Sequence, residues 1–212
     1  MNLITEVQYF PSIIFYKNSY EFSHIIIEQC ETWQKMSFRA RCQIAGAEGV
    51  IDLSIPLVKG RDQKSLIKDV KIADTLPWQA QHWKTIVSCY NRSPWFEFYR
   101  DGLEALFRRP VTFLLDWNLM GLEWSFGALG MTPGIGLTDR FLETYPPGEA
   151  VDMRGALQPK TREIWGAATP EYHQVFEERT GFIPGLSILD LLFCEGKNAI
   201  KYIRSSTGGR SF

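Results

Sequence analysis

Residues 38–57 read FRARCQIAGAEGVIDLSIPL, and this stretch carries the clearest structural pattern in the chain. Apolar and polar residues alternate from Phe38 to Ile44 and again from Ile51 to Leu57, on either side of the turn-like AGAEG. A period of two is typical of half-buried strands, so the stretch predicts an antiparallel hairpin. The register that places both apolar faces on one side gives two polar pairs: Gln43 opposite Asp52, and Arg41 opposite Ser54.

The segments around the hairpin predict an α+β fold. HIIIEQ (24–29) and VKIAD (70–74) are rich in β-branched residues and are candidates for further strands of the same sheet. Helical segments follow, and the first of them has apolar residues at i, i+4 spacing after Pro77. They cover residues 78–90, 95–109 and 112–130. We therefore predict a single domain over residues 1–212, with a mainly antiparallel sheet from the N-terminal half packed by a layer of helices.

The rest of the chain is less regular. Prolines and glycines interrupt every long period between Met131 and Tyr172, and a connection of that length is usually functional or mobile. A helix is predicted to begin near Ser187, because Ser187 and Asp190 have the S-x-x-D spacing of a capping box. The C-terminal tail SSTGGRSF is expected to fray.

Composition limits the classes of function. With 212 residues and 45% apolar content, the chain can bury one good-sized core. Lys and Arg number 23 against 24 Asp and Glu, which argues against a protein that coats nucleic acid or an anionic membrane. There is no 18-residue apolar run and no signal-peptide pattern. We expect a cytoplasmic protein with no nucleic-acid partner and no membrane insertion, whose oligomeric state stays open.

Standard catalytic and cofactor motifs are missing from the sequence. It has no phosphate-binding G-x-x-x-x-G-K-[ST] loop, no full dinucleotide fingerprint and no G-x-S-x-G elbow. The three histidines and four cysteines share no metal-ligand spacing, and no C-x-x-C pair is present. We therefore predict no metal and no cofactor.

Cations in the first predicted strand are candidates for ligand binding. Arg39 and Arg41 are two residues apart, so their guanidinium groups could share one strand face and grip a phosphate or carboxylate, with Lys35 nearby. The alternative is that they are solvated or salt-bridged, as most strand-face charges are. Their candidate partners are Glu28, Glu31 and Asp52.

Further candidates lie in the helices and near the C-terminus. His82 could act as a general acid or base, because imidazole titrates near neutral pH, but it lies on an apolar stripe where satisfied core histidines are common. Asp190 could be a buried catalytic carboxylate, although its capping-box spacing accounts for it. His173 and Gln174 follow the irregular segment beside aromatic residues, which is typical of a loop-borne site and equally of a sheet edge.

Four blocks of the sequence resemble the WbqC-like protein family of bacteria, in order and approximate spacing: QYFPSIIFY, WQKMSFRARCQIAGAEGVIDLSIPL, WQAQHWKTIVSCYNRSPWFEFY and YHQVF…GFIPGLSILDLLFCEGKNA. The chain departs from the family at VQYFP (7–11), where many members read like H-Q-P-x-Y-F-P. The resemblance covers nearly the whole chain and implies a bacterial cytoplasmic protein from the context of surface-polysaccharide (O-antigen) synthesis. The family's motif positions coincide with seven residues singled out here: Lys35, Arg39, Arg41, His82, Tyr90, His173 and Gln174.

Two functions follow as expectations. In the first, the chain is a group transferase of envelope-sugar metabolism: Lys35, Arg39 and Arg41 hold an anionic activated donor, such as a nucleotide sugar or an acyl carrier. His82 or His173 then moves a proton. The other substrate-binding candidates are Tyr9 and Tyr90, which would stack on a sugar or base, and Gln174. In the second function, the chain is a non-catalytic scaffold for such enzymes and presents a flat apolar patch rimmed by charge.

Overall fold

The computed structural model describes residues 1–146 and 148–205, so nearly all of the tail SSTGGRSF lies outside the described residues. The strands are β1 (Asn2–Glu6), β2 (His24–Glu28), β3 (Arg41–Gly46), β4 (Gly49–Ser54), β5 (Gly134–Leu137) and β6 (Ala150–Asp152). The helices are α1 (Ile13–Ser19), α2 (Trp78–Tyr90), α3 (Phe96–Phe107), α4 (Leu114–Ala128), α5 (Arg162–Gly166), α6 (Glu177–Thr180), α7 (Ile188–Glu195) and α8 (Ala199–Arg204).

The main sheet is parallel, so the prediction of a mainly antiparallel sheet is wrong. Its four strands lie in the order β5-β2-β1-β6, and every neighbouring pair is parallel. The three consecutive isoleucines of β2 lack the alternation of a one-sided antiparallel strand, and a continuous apolar run is the pattern of a parallel strand covered on both faces. β5 and β6 are short and fall in the segment that looks irregular in the sequence.

The hairpin forms a separate, two-stranded sheet, so the prediction that HIIIEQ extends the hairpin's sheet is wrong: it forms β2 of the main sheet. The predicted register of the hairpin is confirmed. β3 and β4 pair antiparallel, with Gln43 opposite Asp52 and Arg41 opposite Ser54. β3 begins at Arg41, however, so Arg39 lies just outside the strand. The Arg39 side chain is 2% exposed, whereas that of Arg41 is 27% exposed. The two arginines therefore occupy different environments.

The segment VKIAD does not extend either sheet. Residues 67–69 form a 3-10 helix, and the next residues make only isolated bridges, Lys71 with Phe113 and Ile72 with Leu57. The prediction of a sheet strand here is wrong, because these β-branched residues pack against α4 and the loop after the hairpin rather than beside β2. β-branched residues fit any half-buried extended backbone.

Helices complete the core. α2 begins after Pro77 and ends at Tyr90, as the sequence predicts. Every residue of α7 from Ile188 to Cys194 is buried, which makes α7 the central helix of the molecule. The buried apolar residues form a cluster that runs from Leu3 in β1 to Ile203 in α8. None of the helices within residues 1–146 and 148–205 has the length and apolar character needed to span a membrane.

Candidate functional site

Three neighbouring parallel strands end in acidic residues. β1 ends at Glu6, β2 at Glu28 and β6 at Asp152, and Glu6 pairs with Glu28 in the strand register. Because parallel strands run the same way, their carboxyl ends share one edge, and open parallel sheets bind ligands at that edge. We name the charged and polar group found there the carboxyl-edge cluster, which comprises Glu6, Gln8, Glu28, Glu31, Arg39, Asp152 and Arg154.

Glu28 lies at the centre of this cluster and is fully buried. One carboxylate oxygen accepts hydrogen bonds from the Cys30 backbone N–H at 2.8 Å and from the Thr138 hydroxyl at 2.7 Å. The other oxygen accepts from Arg154 Nη1 at 3.1 Å. A carboxylate buried to this degree requires such partners, because transfer of the charge out of water is costly.

Arg154 covers the cluster from the segment after β6. Its guanidinium group also donates to Asp152 at 2.6 Å, and it lies between the rings of Phe141 and Tyr145, 5.1 Å from each centroid. Partial burial would raise the pKa of the Asp152 carboxyl, but the hydrogen bonds and charge of Arg154 outweigh it and hold that pKa below its ordinary value. Arg154 is thus fixed by two carboxylates and two aromatic rings.

Glu31 and Arg39 form the other ion pair of the cluster. Arg39 donates from Nε at 2.8 Å and from Nη2 at 2.7 Å to the two oxygens of Glu31, and both residues are buried. Burial raises the pKa of the Glu31 carboxyl, Arg39 offsets part of this, and the nearby charges of Glu6 and Glu28 add to the rise. The bidentate fork of Arg39 is therefore already occupied by a carboxylate.

Gln8 leaves one hydrogen-bonding atom of the cluster unpaired. Its Nε2 donates to Glu6 at 3.0 Å, and the second oxygen of Glu6 accepts from the Gly155 backbone N–H at 2.8 Å. The Gln8 Oε1 atom is buried and has no hydrogen-bond partner. Four other buried side-chain atoms in the described part of the chain also have no partner, and Gln8 Oε1 is the one that belongs to the carboxyl-edge cluster. A buried acceptor among charges can be completed by a donor from a ligand or from water.

The two loops that leave β1 and β2 are conformationally strained. Phe10 and Met36 have positive φ angles of 39° and 57°, and they are the only non-glycine residues in the described part of the chain that do. The loops contact each other, since the Tyr9 backbone N–H donates to the Phe38 carbonyl at 2.9 Å. Strained backbone of this kind is concentrated at functional sites, because the surrounding structure must hold it in place.

A cavity of about 320 Å³ opens on the face of the sheet beside the cluster. Two of its lining residues contact the cluster directly: Thr138 donates to Glu28, and the Tyr145 ring lies against Arg154. The cavity falls within the size range of small-molecule sites. Its walls come from β1, β2, β5 and the segment between β5 and β6, and include Ile4, Ile26, Leu137, Arg140 and Leu142.

Two of the sequence-predicted residues, Tyr9 and His82, meet in the core rather than in a cleft. The Tyr9 hydroxyl lies 3.0 Å from His82 Nδ1, the rings stack at 5.8 Å, and both residues are buried. Burial lowers the pKa of His82 to about 4, against a smaller opposing effect of a hydrogen bond to the Ser54 backbone. His82 is therefore neutral at pH 7.

Tyr90 and Gln174 belong to a second buried group, which we name the tyrosine network: Tyr90, Tyr172, Gln174 and Asp190. Asp190 accepts from the hydroxyls of Tyr90 at 2.6 Å and Tyr172 at 2.5 Å. Gln174 Nε2 donates to the Tyr172 hydroxyl and to the Ile183 carbonyl, and its Oε1 accepts from the Ile183 N–H. Burial raises the pKa of Asp190, and the hydrogen bonds that it accepts lower it only in part.

The capping-box role predicted for Asp190 is wrong. The Ser187 hydroxyl does cap α7, because it accepts from the Leu189 N–H at 3.3 Å. The Ser187 backbone N–H, which a capping box would pair with Asp190, instead donates to the Gln43 carbonyl. The carboxylate of Asp190 is drawn into the tyrosine network because hydroxyl donors reach it from α2 and from the segment before α6.

The remaining candidates each have a partner on the surface. Lys35 pairs with Asp62 at 2.8 Å, Arg41 lies 3.6 Å from Asp52, and His173 pairs with Glu177 at 3.1 Å. No hydrogen bond or ion pair between described residues joins these three to His82. Their roles in binding or catalysis stay predictions.

Sequence reasoning missed most of the cluster. It named Glu28 and Glu31 only as partners of arginine, and did not single out Glu6, Gln8 or Arg154. The sequence does contain one indication of the cluster: two short apolar runs, LITE and IIIE, each end in an acidic residue, Glu6 and Glu28. In residues 1–146 and 148–205, no group of three His, Cys, Asp or Glu side chains is placed to hold a metal ion.

Comparison with known proteins identifies the family. No curated protein and no solved structure matches the chain. The model of the WbqC-like protein family matches residues 7–149 and 163–202, which include β2, the hairpin, α2 to α4, α7 and the tyrosine network. Of the cluster, this match contains Gln8, Glu28, Glu31 and Arg39. The chain therefore belongs to the WbqC-like protein family.

Proposed function

We propose that this protein is a group transferase of envelope-sugar synthesis that holds a small-molecule substrate at the carboxyl-edge cluster. The pathway part of the proposal rests on what the family resemblance implies, namely the surface-polysaccharide context. The binding part rests on one observation, the unpaired Gln8 Oε1 inside a buried cluster of charges. An unpaired buried acceptor destabilises the protein by roughly 1–3 kcal/mol, and a ligand that donates to it removes that penalty.

Three further features support a ligand at this place. The cluster lies at the edge of the sheet where parallel folds bind ligands. Its two flanking loops are strained, and a cavity of about 320 Å³ adjoins it. The raised pKa of Glu31 supplies a carboxyl group that exchanges protons closer to neutral pH than an ordinary glutamate, as a general acid or base must.

The anionic donor needs cations that are not already neutralised. Arg39 is occupied by Glu31, so we place the donor's phosphates on the outer face of the hairpin instead. A cavity of about 400 Å³ there is lined by Gln43, Lys160 and Arg162 and also by Asp52 and Glu163. Arg41 projects from the same face but lies 3.6 Å from Asp52, so Lys160 and Arg162 are the cations that we assign to the donor. Arg162 donates to Gln43 Oε1 at 3.0 Å and forms no ion pair with any described residue. A guanidinium group in this state can bind a phosphate.

The test combines ligand binding with a transfer assay. The purified protein is screened by thermal shift against nucleotide sugars, acyl-CoA donors and sugar acceptors, and members that stabilise it are assayed for transfer in pairs. A ligand at about 100 times its dissociation constant adds about 2.7 kcal/mol of stability. We expect Glu6→Gln to abolish the acceptor's shift and Arg162→Ala the donor's.

Glu97→Gln serves as the matched control, because Glu97 is an exposed residue of α3 that pairs with Arg100. It should leave both shifts unchanged. If the acceptor still raises the melting temperature of Glu6→Gln, its binding site is not the carboxyl-edge cluster. If the donor still raises that of Arg162→Ala, its binding site is not the outer face of the hairpin. No shift and no transfer across the whole panel would contradict the proposal.

The scaffold remains a second candidate, and one observation favours it. A groove of about 960 Å³ lies between the start of α2 and the end of α3, lined by Trp78, Trp83 and Phe107, with Asp74, Glu104 and Arg108 among its polar residues. Apolar surface rimmed by charge is typical of protein interaction sites. In that case, a purified enzyme of envelope-sugar synthesis should protect α2 and α3 from hydrogen exchange, and no small molecule should stabilise the protein.

A further inference from the structure

The hydrogen bonds of the carboxyl-edge cluster leave one buried acceptor atom without a donor. Arg154 uses Nε, Nη1 and Nη2 on Asp152, Glu28 and the Glu143 carbonyl. Arg39 uses Nε and Nη2 on Glu31, and Gln8 uses Nε2 on Glu6. The atom left unpaired is an acceptor, Gln8 Oε1. A substrate that completes the cluster must therefore donate a hydrogen bond.

The charges of the cluster do not balance. Glu6, Glu28, Glu31 and Asp152 are four carboxylates, whereas Arg39 and Arg154 supply two positive charges, so the fully ionised cluster has a net charge of −2. Glu6 and Glu28 are 3% and 0% exposed, so water screens their charges little. A buried charge without a counter-charge is strongly unfavourable. The missing component is therefore a cation as well as a donor.

Two aromatic rings beside the cluster already hold one cation, the Arg154 guanidinium. Phe141 and Tyr145 each face the Arg154 guanidinium at 5.1 Å, and Tyr145 also lines the adjoining cavity. Aromatic faces combined with carboxylates are how proteins recognise ammonium groups. Since no described residues form a group able to hold a metal ion, the geometry favours an organic cation.

We infer that the substrate bound at the carboxyl-edge cluster carries a protonated primary amine, as amino sugars do, which donates to Gln8 Oε1 and is neutralised by Glu6 and Glu28. This inference rests on the proposed function and narrows its acceptor from sugars in general to amino sugars. It predicts that the cluster distinguishes –NH₃⁺ from –OH at a single carbon. A neutral hydroxyl also donates a hydrogen bond but leaves the charge uncompensated.

The experiment uses matched ligand pairs that differ only in that group. Glucosamine is compared with glucose, and UDP-glucosamine with UDP-glucose, by calorimetric titration of the full chain. Further pairs place the amine at other ring carbons. We expect at least one amine member to bind about tenfold or more tightly than its hydroxyl partner in the wild type. In Glu6→Gln the ratio should fall to about one, and in the surface control Glu97→Gln it should not change.

The possible outcomes separate this inference from the proposed function. Equal affinity for amine and hydroxyl members, with both weakened by Glu6→Gln, would leave the binding site in place and overturn the amine. A preference for the amine that persists in Glu6→Gln would place the ammonium group outside the cluster and also overturn the inference. No binding by any pair would overturn the amine inference, whereas the proposed function falls only if the wider panel of donors and acceptors also gives no shift and no transfer.

Discussion

The carboxyl-edge cluster and the tyrosine network are both buried and both polar, but only one is complete. In the tyrosine network, Asp190 receives two hydroxyl donors and the Gln174 side chain makes three hydrogen bonds. In the carboxyl-edge cluster, carboxylates outnumber arginines and the Gln8 side chain makes one hydrogen bond. A network in which every polar group has a partner stabilises the fold, whereas a network with unpaired groups or unbalanced charge is suited to binding a ligand.

The two groups also differ in the structural elements that hold their side chains in place. The tyrosine network joins α2, α7, β3 and the segment before α6, and the Tyr90 hydroxyl accepts from the Ala45 N–H of the hairpin. The carboxyl-edge cluster depends on strained loops and on Arg154, which reaches back from beyond β6. Proteins commonly give up stability at functional sites. Mutations should therefore affect the two groups differently.

The largest effect is expected from Arg39→Ala, because it leaves Glu31 buried without its counter-charge. Breaking a buried ion pair in this way destabilises a protein by about 3–5 kcal/mol. If Arg39 shared a polar strand face with Arg41, as the sequence suggests, its truncation would leave the fold intact. Chemical denaturation shows whether Arg39→Ala is destabilised or keeps the stability of the wild type. Arg41→Ala is the control, since the partly exposed Arg41–Asp52 pair contributes under about 1 kcal/mol. Equal effects of the two variants would contradict the burial of Arg39.

Asp190→Asn should destabilise the protein by roughly 3 kcal/mol. The amide turns one acceptor into a donor, so one of the two tyrosine hydroxyls loses its partner in the core. Ser187→Ala removes the helix cap and the hydrogen bond that the hydroxyl donates to the Phe10 carbonyl, so it should lower the free energy of unfolding by about 1–2 kcal/mol. Both variants are measured by urea denaturation. A larger effect of Ser187→Ala would mean that the capping role dominates after all.

Low pH should destabilise the protein through His82. Its folded pKa of about 4 lies below the ordinary 6.5, so the unfolded chain binds the proton more readily and stability falls as pH drops from 6.5 to 4. The loss between pH 7 and pH 5 should be about 2 kcal/mol. Comparing denaturation curves of wild type and His82→Gln isolates this effect from other titrating groups. Parallel pH profiles for the two proteins would contradict it.

The two buried glutamines allow a direct comparison with one substitution. Gln174→Met removes three hydrogen bonds and leaves both backbone groups of Ile183 without partners, so we expect a loss of about 2 kcal/mol. Gln8→Met removes one hydrogen bond and leaves Glu6 Oε1 without its donor, but it also removes an atom that was already unpaired, so we expect a smaller loss of about 1 kcal/mol. Equal losses in denaturation experiments would mean that the networks do not differ in completeness.

The smallest expected change in the free energy of unfolding is a stabilisation, unlike the destabilisation expected of the variants above. Glu6→Gln removes one negative charge from a cluster that has an excess, so it should stabilise the unliganded protein by roughly 1 kcal/mol. This is the same change as Asp190→Asn. The reverse outcome is expected because Glu6 lies beside the buried carboxylates of Glu28 and Glu31, and the neutral amide relieves that repulsion. Thermal unfolding without ligand measures it. Destabilisation by Glu6→Gln comparable to that of Asp190→Asn would place both groups in the same structural class.

Much of the local structure could be predicted from the sequence, but the candidate site could not. The hairpin register follows from alternation over residues 38–57, and the bounds of α2 follow from Pro77 and a helical stripe. The cluster has no such signature, because its members come from residues 6 to 154. Glu6 and Arg39 each look ordinary until β1 and β2 are placed side by side.

The sequence by itself determined the elements whose pattern repeats within a few residues, and its motifs indicated the family. Tertiary structure alone decided that the main sheet is parallel, that Arg39 is buried on Glu31 and that Asp190 joins two tyrosines. The reason is that parallel strands pair through distant contacts, such as Leu3 with Val151, which local periodicity does not record. Only such contacts bring the acidic strand ends to one edge and create the site.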